Sequence, residues 1–95
     1  MEISIDYAKA ERQAQSLEQC ASDLLQQSGE LSSIISVVRR SWQGNTANAY
    51  IRKLEVLESE LRSNADRCSK DAVEFRARIN AIRKADEEAK AAMDN

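Results

Sequence analysis

Two apolar registers run through this chain, and they match one another when the chain is folded at its middle. From the start, Ile3, Tyr7, Ala10, Ala14, Leu17, Ala21, Leu24, Leu31, Ile35, Val38 and Trp42 recur in steps of three and four, with Ser28 as the one polar occupant. That alternation marks a single stripe along an α-helix. A second register runs through Ala47, Tyr50, Leu54, Leu57, Leu61, Ala65, Cys68, Ala72, Phe75, Ile79 and Ile82. Its two successive four-residue steps on either side of Leu61 read as a stutter that would locally unwind a supercoil.

In an antiparallel hairpin, facing residues have a constant sum of sequence numbers. Trp42 with Ala47, Ile35 with Leu54, Ser28 with Leu61, Leu24 with Ala65, Ala21 with Cys68, Ala14 with Phe75, Ala10 with Ile79 and Tyr7 with Ile82 all add to 89. Several of these layers set a small residue against a large one, which fills space between close helices. The expected fold is therefore all-α, a helix-turn-helix hairpin forming one domain over residues 1–95. Helix one is expected over about residues 5–41, the turn over 43–45 and helix two over about 46–90. Composition agrees. The chain has no Pro, two Gly and few aromatics, and it is rich in residues that lose little freedom in a helix. Gly44 is expected to end helix one and Asn45 or Thr46 to cap helix two. Past Ile82 the stretch Lys84-Ala85-Asp86-Glu87-Glu88 is rich in charge, so the last turns are expected to fray or to need a partner.

The chain carries a net charge of −2 with acids and bases interspersed, which gives no footprint for nucleic acid. It has no His, no Cys-x-x-Cys and no Gly-rich phosphate loop, so neither a metal nor a cofactor is expected, and neither is an enzyme. No basic-then-apolar leader and no apolar run of roughly twenty residues is present, so a soluble chain without a transmembrane segment or conventional export signal is expected.

A 95-residue chain buries only about 60 to 65 per cent of its unfolded surface, so a lone hairpin has little core. Leu25, Ile34, Val37, Ile51 and Val56 lie beside the seam and cluster toward the turn. They are the candidate interface for a second hairpin, giving a four-helix bundle. Cys20 and Cys68 fall at nearly the same height on opposite arms. A bridge would close a loop of about fifty residues. Helix axes about 8 to 10 Å apart, against a bond that needs Cα atoms within roughly 7 Å, favour two buried thiols packing as small apolar groups instead.

The turn itself reads Trp42-Gln43-Gly44, a Trp-x-Gly between two helices of about forty residues in a chain of about a hundred. In length, hairpin and central motif the whole chain resembles the WXG family, the small ESAT-like proteins of type VII secretion in Gram-positive bacteria. The resemblance implies a non-enzymatic protein, cytoplasmic before export and then secreted, that pairs with itself or with a related hairpin. It implies that Trp42 and Gly44 lie near the C-terminal tail of the partner, and that the tail docks to the secretion ATPase. The family's tail signal is Tyr-x-x-x-Asp/Glu, and here Ile82 stands where Tyr would. The broader pattern of a hydrophobic residue, an acid and two further hydrophobics is met by Ile82, Asp86, Ala89 and Met93 on one helical face. A second possibility is a targeting partner for the N-terminal helices of an LXG-type toxin, with a composite export signal. A third is a generic coiled-coil adaptor.

Overall fold

The computed structural model describes residues 6–42 and 44–94; Ile3, residue 5 and Gln43, which figure in the sequence expectations, lie outside them. It contains two helices, α1 (Tyr7–Ser41) and α2 (Asn45–Asp94), folded into a hairpin 77 × 17 × 15 Å in extent. α1 starts where Asp6 turns its carboxylate onto the Lys9 N–H at 2.9 Å, satisfying one of the amides that a helix start leaves without a partner. It stops at Trp42, whose backbone is extended while its N–H still donates to the Val38 carbonyl at 2.9 Å. Arg39 and Arg40 lie in that last turn, where positive charge is favoured by the helix dipole.

Gly44 plays a different part from the one expected of it. It has φ +98°, and its carbonyl accepts from the Asn48 N–H at 3.1 Å, so it opens α2 rather than closing α1. Asn45 and Thr46 are already inside the helix. At the other end α2 does not fray among the charged residues and stays helical to Asp94. Lys, Glu and Ala are good helix formers, and the contacts of Asp86 and Arg83 with Tyr7 tie the first of the added turns to α1.

The hairpin is zipped in the register the sequence predicts, but with different occupants near the turn. Ile51, assigned from sequence to an outside interface, is buried at 6 % exposure in a core cluster with Ile35 and Val38, against which Leu31 and Leu54 pack. Tyr50 and Leu57, assigned to the seam, are instead exposed, and the half-buried Glu58 stands in the seam. The seam of α2 is thus Ala47, Ile51, Leu54, Glu58, Leu61, Ala65, Cys68, Ala72, Phe75 and Ile79, an unbroken alternation of four and three with no stutter. The constant sum already separates the two assignments. Ile51 and Glu58 fall opposite the seam residues Val38 and Leu31, whereas Tyr50 and Leu57 would fall opposite the polar Arg39 and Ser32.

Toward the open end the layers alternate in size. Ala10, Ala14, Ala21, Ala65 and Ala72 are buried, while Leu17, Leu24, Phe75 and Ile79 close over them half-buried. Ser28 is the one buried polar residue among the described residues, at 2 % exposure, and its hydroxyl accepts from Arg62 Nε at 3.0 Å. Arg62 also binds Glu58 at 2.8 Å, and Glu58 accepts from the Ser32 hydroxyl at 2.7 Å. The seam charge of Glu58 is therefore tied to both helices. A satisfied polar layer of this kind penalises any slip of one helix along the other.

Candidate functional site

Seven-residue spacing divides the hairpin into two unlike sides. Glu11, Glu18, Leu25, Ser32 and Arg39 on α1 and Glu55, Arg62, Ser69, Arg76 and Arg83 on α2 flank one side of the seam. The three cross-helix ion pairs among the described residues all lie there: Arg39 with Glu55, and Arg76 with both Glu11 at 2.6 Å and Glu18 at 2.7 Å. The Arg76 hydrogen bond, more than any other influence, holds the Glu11 carboxyl below its ordinary pKa. The two acids in turn hold the Arg76 guanidinium well above its own. At the far end of the same side, Arg83 stands over the Tyr7 ring at 4.5 Å.

The opposite side is built from Gln13, Cys20, Gln27, Ile34 and Ser41 on α1 and Tyr50, Leu57 and Asn64 on α2. No charged residue occupies those eight positions, and the next two, Asp71 and Arg78, lie farther from the turn. Ile34, Tyr50 and Leu57 are exposed there, with Val37 adjoining Ile34 one turn on. Trp42 joins the same surface by stacking on Tyr50, ring centroids 5.6 Å apart and planes 28° from parallel, and it remains 52 % exposed. Trp42 faces the buried Ala47 across the turn, yet half of its indole is free of the hairpin. Ile34, Val37, Trp42, Tyr50 and Leu57 make one apolar surface at the turn end.

Of the interface residues picked from sequence, Ile34 and Val37 share this surface. Leu25 is exposed on the ion-paired side, and Val56 is exposed on the outer face of α2 beside Ala49, Arg52 and Lys53. Tyr50 and Leu57 were missed because strong apolarity at three-and-four spacing counted them into the seam. The seven-residue spacing from Tyr50 to Leu57 to Asn64, parallel to that from Gln27 to Ile34 to Ser41, is the signal that finds them.

The tail residues are also placed. Tyr7 of α1 lies level with Ile82, so residues 83–94 of α2 extend beyond it by roughly 18 Å at 1.5 Å per residue. Ile82, Asp86, Ala89 and Met93 are all exposed on one face of α2, Met93 at 85 %. Asp86 accepts a hydrogen bond from the Tyr7 hydroxyl, the main reason the Tyr7 phenol is held above its ordinary pKa. The acid of the tail pattern is thus held to the start of α1.

Cys20 and Cys68 are free thiols with their sulfurs 3.7 Å apart. They are not the two buried groups expected, since Cys20 is exposed and Cys68 half-buried. The neighbouring seam positions Ala21, Ala65 and Ala72 are small and buried, which lets the arms come close at this level. No helix of the described residues is long and apolar enough to cross a membrane. Compared with known protein families, curated proteins and solved structures, the chain matches none of them.

Proposed function

We propose that this chain is a non-enzymatic pairing module of the WXG type, which docks a second helical hairpin on its uncharged side and is exported with it through a type VII system. The observation that carries the proposal is the apolar surface of Ile34, Val37, Trp42, Tyr50 and Leu57, set in a strip without charge and rimmed by Asp23, Glu30, Lys53 and Glu60. Covering a half-exposed aliphatic or aromatic side chain is worth about 1 kcal/mol, half the value of full burial. Five such residues from each of two copies contribute about 10 kcal/mol, against an association cost of about 4 to 15 kcal/mol. The balance is close, so one inserted charge suffices to break the pair.

In a pair of two copies the apolar turn ends meet across a four-helix layer, which departs from the turn-to-tail arrangement that the family resemblance implies, and the projecting tail of each copy offers Ile82, Asp86, Ala89 and Met93 to the secretion ATPase. The lack of Tyr at position 82, and the tie from Asp86 to Tyr7, favour as a second reading a complex with an LXG-type toxin whose own segment completes the signal.

Sedimentation equilibrium of the pure chain across a hundredfold range of concentration tests the pairing. A dimer mass that falls to the monomer with Ile34→Glu or Leu57→Glu, while helicity is kept, supports it. A monomer mass at every concentration, with no hairpin partner recovered from the producing cell, overturns it. Export is tested by Trp42→Ala in a host carrying a type VII system: loss of the chain from the medium at unchanged cellular level is expected, and undiminished secretion refutes the role of the turn.

A further inference from the structure

We propose that Cys20 and Cys68 are a dithiol switch, closing to an intramolecular disulfide that clamps the two helices midway along the rod when the chain meets a small disulfide oxidant. The sulfurs stand 3.7 Å apart on opposite arms, with Cys68 donating to Cys20. A bond requires about 2.05 Å, a difference that side-chain rotation can supply without parting the helices. The buried alanines at 21, 65 and 72 hold the arms close at this level. Cys20 is exposed and open to reagent, while Cys68 is half-buried behind it.

These positions assign the roles. Cys20 gives its proton to water and its thiolate attacks one sulfur of the oxidant, whose S–S bond breaks and whose other sulfur leaves as a thiolate that takes up a proton. Cys68 has its pKa held above the ordinary thiol value first by the hydrogen bond to Cys20 and then by desolvation. Once Cys20 is capped that hydrogen bond is gone. Cys68 then gives its proton to water, attacks the Cys20 sulfur and expels the second thiolate. Two protein thiols are oxidised and one small disulfide is reduced to two thiols. In a reducing cytosol the pair stays open, and in an oxidising medium it closes.

The test uses the reduced full chain, dilute, treated with oxidised glutathione, quenched with an alkylating agent and weighed intact. The expected product has lost two hydrogens, carries neither glutathione nor alkyl group, runs as a monomer on a non-reducing denaturing gel and melts at a higher temperature, all reversed by dithiothreitol. Cys68→Ser is expected to stop at a stable glutathione adduct on Cys20. A wild-type chain that retains glutathione, that stays fully alkylatable, or that forms only cross-linked dimers overturns the proposal. The bond lies within one chain and the test is run on dilute chain, so its outcome is read apart from pairing and export; Cys20 lies on the side proposed for docking, and a bound second hairpin is expected to shield it from the oxidant.

Discussion

Exchanging Leu24 and Ala65 tests the register on which the pairing surface depends. The two face each other in one layer, Ala65 fully buried at 1 % exposure and Leu24 half-buried over it. Leu24→Ala removes a half-buried side chain and should cost about 1 to 2 kcal/mol, half the usual range for a core leucine. Ala65→Leu forces three further heavy atoms into a filled space, and overpacking of this kind costs about 1 to 3 kcal/mol. If the residues did not touch, the double variant would lose about 2 to 5 kcal/mol. Because they share a layer, the exchange returns the same volume, and the loss should be under about 1 kcal/mol, a coupling of about 2 kcal/mol. Helix propensity cancels, since Ala and Leu are near neighbours on that scale and each helix trades one for the other. Urea unfolding followed by far-UV circular dichroism, with all four proteins at one concentration, reads the cycle directly. Strictly additive losses would refute the facing assignment, and with it the placement of Ile34, Tyr50 and Leu57 on one side.

Three further outcomes follow from named contacts. Gly44→Ala should lower stability by about 1 kcal/mol, or about 4 to 8 °C in melting midpoint, because φ +98° is unfavourable for an L side chain although nothing lies within 4 Å of the new Cβ; an unchanged midpoint would show that the turn relaxes freely. Glu58→Leu should raise stability by about 1 kcal/mol, since an apolar residue opposite Leu31 replaces a partly desolvated carboxylate and leaves Arg62 with the Ser28 hydroxyl; a fall in thermal stability counts against Glu58 as a device for register alone. The folded-state pKa of Glu11 is depressed by Arg76, so its ion pair contributes above the ordinary carboxylate pKa and is lost as pH falls through the depressed value. Melting midpoints of the wild type and of Glu11→Gln, measured from pH ~7 to ~2, should converge at the acid end; parallel curves would show that the pair does not act in solution.

The sequence by itself determined the hairpin, its turn and its register, because an alternation of threes and fours over most of both halves leaves one alignment that pairs the layers, Tyr50 and Leu57 excepted. It also located Trp42 at the turn and the tail face beyond Ile82. Read one helix at a time, the sequence left open which of two overlapping stripes near the turn goes inward, and the pairing of the two helices decided it. Tyr50 and Leu57 are more apolar than Glu58, and a single helix would favour them, but Leu31 and Val38 on the facing helix present their layers to Glu58 and Ile51. Burial is a property of the pair of helices and not of either alone. The same holds for the thiols: generic axis spacing argues against their meeting, whereas the alanines packed around this level let the arms approach until the two sulfurs touch.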